Sequence, residues 1–427
     1  MTVEGATVVV VGAGYLGKRR IYERIAELGA RIAVVDETGH WSQRLVADGL
    51  AAHWVAAPIA GDADADAAAV VDALAAEGIR PDAVLTFWET SVPVAARAAA
   101  ALGLPGNPVA AVDAARSKLR TREESARAGL PTPRSQRVRS LDELFAAAEA
   151  IGFPSVVKPE FGASAVGCVR IDSFESLPGV YKIVRSELAT TDVVDLRAGN
   201  DLLLEEYLDG VEFDVDLVLH DGECVFSSVS QNWPTAEPSF QETGLHCPPD
   251  HGAKPVRRLV QLCVETVQAF GFRCGVLHVE GKCTSRGPRI VEVNARMGGG
   301  RIHHIVEAVW GVDLIEAQVR GALGLPQQLA PSRKPRCAVV NALLYAPATG
   351  RLAALHLTEG TTADLGPLVD VAADVGQEVD GPDRVFATAL AEVTVGAKNL
   401  RRARSLAAEV LRRPPVVVAL GAPASRT

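Results

Sequence analysis

The sequence predicts a protein of mixed α/β and α+β class, in which a parallel-sheet domain precedes strand-rich domains. Strand-like and helix-like segments alternate through the first third of the chain, which is typical of a parallel sheet with helices on both faces. The stretch 153–171 has the pattern of a strand, a small-residue turn and a second strand. Further along, CGVLHVEG (274–281) and RIVEVNA (289–295) predict a hairpin joined by GKCTSRGP.

The N-terminal elements follow one another as a strand–helix repeat. TVVVVGAG (7–14) is an apolar run of buried-strand length, and the helical pattern that follows it is closed by Gly29. RIAVVDE (31–37) and PDAVLTFWE (81–89) predict two further strands, with an Ala-rich helix over 62–78 between them.

The turn after the first strand matches a dinucleotide-binding fingerprint. Gly12, Gly14 and Gly17 fit the pattern GxGxxG between a strand and a helix. Asp36 lies 22 residues beyond Gly14, where an acid that binds ribose is expected. An NAD(P)-dependent oxidoreductase is therefore one functional hypothesis. It accounts for the first 40 residues and leaves the later hairpin unexplained.

Length and composition limit the classes of function. A chain of 427 residues accommodates about three domains of ~150 residues each. The net charge of −9 argues against a general binder of nucleic acid or of anionic membranes. Seven scattered cysteines without a CxxC pair predict free thiols in a reducing compartment, and the N-terminal apolar run is too short to span a bilayer. We therefore expect a cytoplasmic protein without nucleic-acid or membrane partners.

The middle of the chain opens with helices and then offers a candidate phosphate-binding loop. In SLDELFAAAEAIG (140–152), Ser140 and Glu143 form a capping box. In FPSVVKPEFGASAVGCVRI (153–171), Lys158 ends a strand and the turn after it lacks bulky side chains, which allows backbone donors to approach phosphates. The turn is not a Walker A loop, because Cys168 and Val169 stand where Lys and Ser/Thr would follow a glycine. A Gly-rich hairpin without a ligand is the alternative.

The next strand, LLLEEYLDGVEF (202–213), ends in two glutamates, an aromatic residue and a leucine. Backbone groups at such a strand end could bind the edge of a purine, and Glu212 could accept hydrogen bonds from ribose hydroxyls. Taken alone, the stretch favours an ordinary strand end.

The predicted hairpin concentrates polar groups on one face. Because side chains alternate along a strand, His278 and Glu280 share a face, and so do Glu292 and Asn294. Two neighbouring carboxylates repel each other unless a cation neutralises them or one takes up a proton. Oxygen ligands without thiolates suit a hard cation such as Mg²⁺. Arg296 and three glycines follow directly and could hold an anion beside that cation; a solvated hairpin face is the alternative.

Over roughly residues 110–325, the order of these features resembles the ATP-grasp ligases. The resemblance implies an ATP-grasp fold that clamps ATP and Mg²⁺, or Mn²⁺, between two α+β subdomains. Its implied domains are an N-terminal Rossmann-like domain over 1–112, a small ATP-grasp subdomain over 113–200, a large ATP-grasp subdomain with the Mg-ATP site over 201–328, and a C-terminal α+β lid over 329–427. Its implied nucleotide ligands are Lys118, Lys158, Ser164, Glu205, Glu206, Tyr207, Leu208 and Glu212. Its implied metal ligands are Glu280, Glu292 and Asn294.

Shorter segments resemble amino-acid (dipeptide) ligases related to the bacterial L-amino acid ligases and carnosine synthase. They are LTFWET (85–90), QETGLHCPPD (241–250), the HVE triplet at 278–280 and NARMGGG (294–300). ATP-grasp ligases without these segments often have an arginine where His278 stands, so the role of this position stays open. The resemblance implies small amino-acid substrates and a homodimer. It leaves open which carboxylate and which amine are joined.

The implied reaction joins a carboxylate to an amine through an acyl phosphate, with release of ADP and phosphate. The implied catalytic residues are Arg296, His278, Lys158 and His246. The implied substrate-binding residues are Glu89, Glu242, His246, Arg296, Gly299 and Gly300. Ordinary polar loop positions are the alternative for Glu89, Glu242 and His246, and a structural ion pair is the alternative for Arg296. Another ATP-grasp ligase or carboxylase acting on a different small acid, and a nucleotide-binding protein without catalysis, are the remaining alternatives.

Overall fold

The structure is a computed structural model that describes residues 2–59, 61–162, 165–190, 201–355, 368–382, 384, 386–412 and 416–419. Within these ranges no helix combines the length and the apolar character that crossing a membrane would need. The predicted loop residue Ser164 lies outside the described residues.

The N-terminal region is a four-stranded parallel sheet with the strand order β3-β2-β1-β4. The valines of the first strand are fully buried, as expected for a strand covered on both faces. The predicted parallel sheet is therefore confirmed. Its elements are β1 (Thr7–Val11), α1 (Arg19–Glu27), β2 (Arg31–Asp36), α2 (Arg44–Ala47), β3 (His53–Ala56), α3 (Ala63–Ala76), β4 (Ala83–Leu85), α4 (Val92–Ala101), α5 (Val109–Arg116) and α6 (Lys118–Arg127).

A small antiparallel sheet follows, with the strand order β5-β8-β6-β7. Ser140 caps the helix Leu141–Ile151 by accepting a hydrogen bond from the Glu143 amide (3.1 Å). The Glu143 carboxylate accepts from the Arg139 amide (2.8 Å) and not from the Ser140 amide. The capping serine is as predicted, and the glutamate reaches one residue further back. The elements are β5 (Ser135–Val138), α7 (Leu141–Ile151), β6 (Ser155–Pro159), β7 (Val169–Ile171), α8 (Leu177–Thr190) and β8 (Leu202–Glu206).

An eight-stranded sheet forms the centre of the protein, with the order β13-β12-β9-β10-β11-β14-β18-β16. Its first part confirms the predicted hairpin, in which Glu280 lies opposite Glu292 and His278 opposite Asn294. The elements up to this point are β9 (Val211–His220), β10 (Glu223–Asn232), β11 (Gly244–Cys247), α9 (Ala253–Phe270), β12 (Gly275–Thr284), β13 (Gly287–Asn294), α10 (Ile302–Trp310) and α11 (Leu314–Ala322).

The C-terminal elements extend this same central sheet and add a small second one. β14, β18 and β16 continue the eight-stranded sheet, and β17, β15 and β19 form a separate three-stranded sheet. The predicted lid region is thus joined to the large subdomain through β11 and β14; the four domain boundaries themselves stay a prediction. The elements are β14 (Ala338–Tyr345), β15 (Gly350–Leu355), β16 (Leu368–Val371), β17 (Glu378–Val379), β18 (Ala389–Ala397), α12 (Leu400–Arg412) and β19 (Val416–Ala419).

Candidate active site

Two clefts meet at the open face of the hairpin β12–β13. The first, called the nucleotide cleft below, has a volume of about 960 Å³ and lies between the small antiparallel sheet and the central sheet. The second, called the substrate cleft, has a volume of about 880 Å³ and reaches towards β14 and β18. Glu242, Glu280 and Glu292 line both clefts. A group bound in one cleft therefore adjoins a group bound in the other.

The floor of the nucleotide cleft is a network of buried ion pairs. Lys118 Nζ lies 2.9 Å from Glu292 Oε1, and Lys158 Nζ lies 2.5 Å from Glu205 Oε2. Arg122 holds the same Glu205 through two hydrogen bonds of 2.9 and 3.2 Å. Burial raises the pKa of Glu205, but Arg122 and Lys158 outweigh it and lower the pKa to about 2. Both predicted phosphate-binding lysines thus line the nucleotide cleft, held in place by carboxylates.

The predicted adenine-binding segment lines the far end of the nucleotide cleft. Tyr207 and Leu208 both border it, and Lys282 bridges the Leu208 carbonyl (3.4 Å) and the Glu212 carboxylate (3.3 Å). The carboxylate of Glu206 pairs with Arg134 and Arg286, and its amide donates to the Arg134 carbonyl. Among the main-chain groups of Glu206, only the carbonyl is left for the predicted contact with a purine.

Glu205 departs from its predicted place beside the purine. Its side chain is occupied by Lys158 and Arg122. A charge in the protein interior needs an opposite charge close to it. Lys158 and Arg122 together contact both oxygens of the Glu205 carboxylate. Glu205 therefore orients the cationic residues of the cleft and is not placed to contact adenine through its carboxylate.

The predicted metal ligands converge on one patch. Asn294 Nδ2 donates to Glu280 Oε1 (3.3 Å), and Glu280 lies directly opposite Glu292 in the hairpin. Burial, and then the Glu292 carboxylate, raise the pKa of Glu280 well above its ordinary value. Burial also raises the pKa of Glu292, but Lys118 outweighs it and lowers the pKa. Two close carboxylates, one of which holds a proton when no cation neutralises it, fit a hard divalent cation.

The three predicted metal ligands Glu280, Glu292 and Asn294, called the metal patch below, are fewer than the ligands of a metal site formed by protein alone. In the described ranges, no three or more His, Cys, Asp or Glu side chains are arranged to hold a metal. The patch offers two carboxylates and one amide oxygen. Mg²⁺ is typically held by one or two carboxylates together with substrate phosphates, so the donor set fits a Mg²⁺ ion that arrives with a nucleotide.

Two aspartates that sequence reasoning missed complete this face of the sheet. Asp214 and Asp216 lie on β9, opposite Glu280 and His278 respectively. Asp216 Oδ1 lies 2.9 Å from His278 Nδ1. Burial lowers the pKa of His278, but Asp216 and then Asp214 raise it to about 10. The imidazole is therefore a cation at neutral pH, so a positive charge stands where other ATP-grasp ligases often have an arginine.

The signal for these aspartates was present in the sequence. In VEFDVDLV (211–218), acidic residues alternate with Phe213, Val215 and Leu217, which are fully buried. The same alternation along the hairpin strands pointed to Glu280 and Glu292. The sequence did not show that β9 pairs with β12. This pairing places Asp214 and Asp216 beside Glu280 and His278.

The substrate cleft is rich in carboxyl groups and glycine. Arg296, Gly299, Gly300 and Glu242, four of the predicted substrate-binding residues, line it. Burial, and then the neighbouring Asp214, raise the pKa of Glu242 to about 7. A carboxyl group with this pKa can take up or release a proton near neutral pH.

His246 is not brought to either cleft. Its ring lies on β11 and is 1% exposed; Nδ1 accepts from Trp233 Nε1 (3.2 Å), and Nε2 faces Arg404 and Asp250. Burial lowers the pKa of His246. The predicted role of His246 as a base or a substrate contact is therefore corrected: this histidine links β11 to α12.

Glu89 is buried beside Arg296. Its Oε2 lies 2.6 Å from Arg296 Nε, and its Oε1 lies 3.8 Å from Arg116 Nε. Arg296 also reaches Asn294 Oδ1 with Nη2 (3.4 Å). Arg296 thus connects Glu89, at the end of the N-terminal sheet, with the metal patch.

The N-terminal fingerprint is packed against the protein itself. Asp36, the expected ribose-binding acid, accepts from the Ala13 amide (2.8 Å) and faces His40 (2.9 Å). A Cβ on Gly14 would lie 2.7 Å from Trp88 Cε3, and a Cβ on Gly12 would lie 2.0 Å from Ser91 Oγ. The glycines therefore allow close packing by Trp88 and Ser91 over the turn, where a dinucleotide would need open space.

Comparisons with known proteins agree with this geometry. A model of the ATP-grasp domain matches residues 151–304, and a model of the ATP-grasp N-terminal domain matches residues 22–106. Carnosine synthase 1 of Gallus gallus is 36% identical over 361 residues, which are 82% of this chain and 38% of that protein. Alanine–anticapsin ligase of Bacillus subtilis strain 168 is 26% identical over 257 residues, which are 56% of this chain and 54% of that protein.

A solved structure supports the fold over the whole length. The L-amino acid ligase from Bacillus licheniformis superposes with a TM-score of 0.82 at 20% identity, covering 98% of this chain and 100% of that one. The chain spans less than half the length of the carnosine synthase it matches. These matches agree with the resemblance predicted from the order of the nucleotide and metal positions, and they give no support to the dinucleotide-dependent alternative.

Proposed function

From its ATP-grasp N-terminal domain and the ATP-grasp domain that follows it, we propose that this chain is an ADP-forming ligase. It would join the carboxylate of one amino acid to the amine of a second amino acid or a similar compound. The observation that carries the proposal is the shared wall of Glu242, Glu280 and Glu292 between the nucleotide cleft and the substrate cleft. A phosphoryl group transferred at this wall would pass directly to a carboxylate in the second cleft.

The nucleotide cleft is arranged to receive ATP. Lys118, the first residue of α6, and Lys158, on β6, both line it, and an ammonium group acts as a compact positive charge towards phosphate oxygens. Glu280, Glu292 and Asn294 would hold a Mg²⁺ ion, or Mn²⁺, which supplies charge neutralisation for the phosphates when bound. Tyr207, Leu208 and Glu212 would contact the nucleoside.

In the first step, an oxygen of the substrate carboxylate attacks the γ-phosphorus while the bond to the bridging oxygen of ADP breaks. The products are an acyl phosphate and ADP. Negative charge is spread over the phosphoryl oxygens, so fixed cations stabilise the transition state more than the ground state. Lys158, Arg296 and the imidazolium of His278 would supply these charges.

In the second step, the amine nitrogen attacks the acyl carbon. The C–N bond forms, the C–O bond to phosphate breaks, and phosphate leaves with the electron pair. The amine must lose a proton in the process. Glu242 borders both clefts and has a pKa of about 7, so its carboxylate would take up that proton.

Purified protein with ATP and Mg²⁺ tests the proposal. We expect ADP and phosphate to form only when an acceptable pair of amino acids is present, with an amide product of matching mass. The pairs should cover the twenty standard amino acids and β-alanine. Tight nucleotide binding with no ADP from any pair would contradict a ligase and favour a binding protein.

Two finer expectations belong to the same proposal. We place the protein in a reducing compartment such as the cytoplasm, which is supported by its seven cysteines, all of them free thiols. A homodimer is expected from the family resemblance, and light scattering on the purified chain would test it.

A further inference from the structure

Asp214 is a buried acidic residue of the substrate cleft that neither reaction step uses. It lies on β9, is 7% exposed and lines the cleft together with Glu242 and Glu280. Its neighbours in the strand, Phe213 and Val215, are fully buried on the opposite face. The sheet therefore holds the Asp214 carboxylate at a fixed point of the cleft wall.

The Asp214 carboxylate has one hydrogen-bond partner and no cationic partner. Asn232 Nδ2 donates to Asp214 Oδ1 at 2.9 Å. His278 lines the same cleft, but its Nδ1 is held by Asp216 at 2.9 Å. With the residues that the structure describes, Asp214 makes no ion pair. A buried carboxylate without a cation beside it is unfavourable, so a bound cation would stabilise it.

Asn232 is a second buried polar residue at the same place that lacks a partner. It lies on β10, is 8% exposed, and its Oδ1 has no hydrogen-bond partner. Asn232 lies opposite Leu245 of β11, which also lines the substrate cleft. Asp214 and Asn232 thus offer carboxylate and amide oxygens on one face of the sheet. These acceptors suit an ammonium group, which has three donors and no acceptor.

The sheet places Asp214 next to the metal patch. Asp214 lies opposite Glu280 on the neighbouring strand, and Glu280 lies opposite Glu292 on the strand after that. Neighbouring strands are about 4.8 Å apart, so Asp214 is one strand away from the ion that Glu280 and Glu292 would share. The carboxylate that becomes phosphorylated must lie at that ion. Because the ammonium and carboxylate of an α-amino acid are bonded to the same carbon, one molecule can reach both places.

Building on the proposed ligase function, we propose that Asp214, positioned by Asn232, binds the ammonium group of the amino acid that donates the carboxylate. An ammonium group held beside a carboxylate keeps its proton, and a protonated nitrogen has no lone pair with which to attack the acyl carbon. The subsite would therefore set the direction of coupling. The amine of the other substrate attacks, and the amine of the donor remains free in the product.

The attacking amine would have a different carboxyl group. Glu242 lies in the loop between β10 and β11 and borders both clefts, and it would take up the proton of that amine. Asp214 and Glu242 would thus each interact with the amine of one substrate.

The test compares the amino acid that donates the carboxylate with its desamino analogue, in which hydrogen replaces the amine. The pair of amino acids with the highest rate of ADP release is used, and mass-spectrometric fragmentation of the product identifies the donor. Asp214→Asn retains the size of the side chain and removes only its charge. Asp221→Asn, the same change at a side chain that is 79% exposed in the turn after β9, is the matched control.

We expect Asp214→Asn to lower kcat/KM for the amino acid by about 10- to 100-fold, as for loss of a hydrogen bond between charged groups. It should change kcat/KM for the desamino analogue by less than about threefold, because the analogue presents no charge to Asp214. Where the analogue reacts too slowly, its inhibition constant replaces kcat/KM. Asp221→Asn should behave like the wild type with both molecules. An equal loss with both molecules in Asp214→Asn, or no loss with the amino acid, would overturn the subsite.

Asn232→Ala tests the positioning residue and serves as the second variant if Asp214→Asn does not fold. It removes the hydrogen bond to Asp214 and leaves the carboxylate in place. We expect the preference for the amino acid over its desamino analogue to fall by about three- to tenfold. An unchanged preference would overturn the positioning role, since a merely structural change would affect both molecules alike.

A second metal ion is the other cation that these oxygens could hold. Electron paramagnetic resonance with Mn²⁺ and a non-hydrolysable ATP analogue counts the bound ions. We expect the same number in the wild type and in Asp214→Asn. Loss of one bound Mn²⁺ in the variant would overturn the ammonium subsite in favour of a metal site.

A binding measurement separates this inference from the ligase proposal. If no pair of amino acids yields ADP, the ligase proposal fails, and the same amino acids are titrated by calorimetry with Mg²⁺ and a non-hydrolysable ATP analogue present. The subsite predicts that at least one amino acid binds at least about tenfold more tightly than its desamino analogue, and that Asp214→Asn abolishes the difference. A wild type that binds no amino acid, or a variant that keeps the preference, would overturn the subsite.

Discussion

The nucleotide cleft and the substrate cleft share a wall but differ in how their charges are balanced. In the nucleotide cleft, the cations are paired in advance: Lys118 with Glu292, and Lys158 and Arg122 with Glu205. In the substrate cleft, His278 is held by Asp216 and Arg296 by Glu89, and two of the carboxyl groups that line the cleft, Asp214 and Glu242, have raised pKa values.

The difference reflects what each cleft must do. A triphosphate presents the same charge in every cycle, so lysines held in position by fixed carboxylates serve it well. An amine must arrive and give up a proton, and this requires carboxyl groups that change protonation near neutral pH. Glu242, with a pKa of about 7, and Asp214, with a pKa of about 6, have that property. We therefore expect substitutions in the two clefts to affect catalysis and stability differently.

The largest effect is expected from Glu292→Gln at the shared wall. This change removes one charged metal ligand and leaves Lys118 without its partner. We expect kcat for ADP release to fall at least about 10⁴-fold, because the transferring phosphoryl group would lose its charge neutralisation.

Glu212→Gln is the matched control for that variant. Glu212 is also an acidic residue that lines the nucleotide cleft, but it pairs with Lys282 and is not one of the three predicted metal ligands. We expect a loss of less than about tenfold, as for one hydrogen bond to a ribose hydroxyl. Similar losses in both variants would contradict a special role for Glu292.

Glu205→Gln should lower the free energy of unfolding more than any substitution in the substrate cleft does. It leaves Lys158 and Arg122 buried with less than their full counter-charge, which typically costs about 3–5 kcal/mol. Because the pKa of Glu205 is lowered from 4.5 to about 2, its contribution is fully present above pH 4.5 and is lost as the pH falls towards 2.

Urea unfolding of wild type and Glu205→Gln at pH 7 and pH 3 measures this effect. The difference in unfolding free energy should be large at pH 7 and smaller at pH 3. A difference that does not depend on pH would show that Glu205 is not charged in the folded protein.

A smaller effect on kcat is expected for substitutions of His278, because the proposed mechanism requires its positive charge and not its imidazole ring. His278→Gln should lower kcat for ADP release by about 100-fold, since an electrostatic contact to the transition state is lost. His278→Arg restores a cation opposite Asp216 and should keep kcat within about tenfold of the wild type. Equal loss in both variants would contradict this assignment and favour a role for the neutral imidazole.

Local patterns in the sequence were sufficient for the strands and for the grouping of Glu280, Glu292 and Asn294 on one face of the hairpin. Alternation along two strands placed His278 with Glu280 and Glu292 with Asn294, and the short connection made their pairing the natural choice. Asp214 was missed although it obeys the same alternation, because the pairing of β9 with β12 joins strands about sixty residues apart.

Side-chain partners distant in the chain were beyond sequence reasoning. The carboxylate of Glu205 turned out to be held by Arg122, and that of Glu206 by Arg134 and Arg286. His246 was misassigned because the sequence did not show which face of β11 borders a cleft: Leu245 lines the substrate cleft, whereas the neighbouring His246 contacts Arg404 of α12. The substrate cleft draws on more separate segments than the metal patch does, so it was predicted less completely.

Binding of Mn²⁺ in the presence of a non-hydrolysable ATP analogue tests the metal patch most directly, with electron paramagnetic resonance reporting the free ion. We expect one tightly bound Mn²⁺ per nucleotide in the wild type and an affinity at least about 100-fold weaker in Glu292→Gln, in line with the loss of a charged ligand. Binding of the analogue without metal should persist in that variant. Equal Mn²⁺ affinity in the two proteins would contradict a metal site formed by Glu280, Glu292 and Asn294.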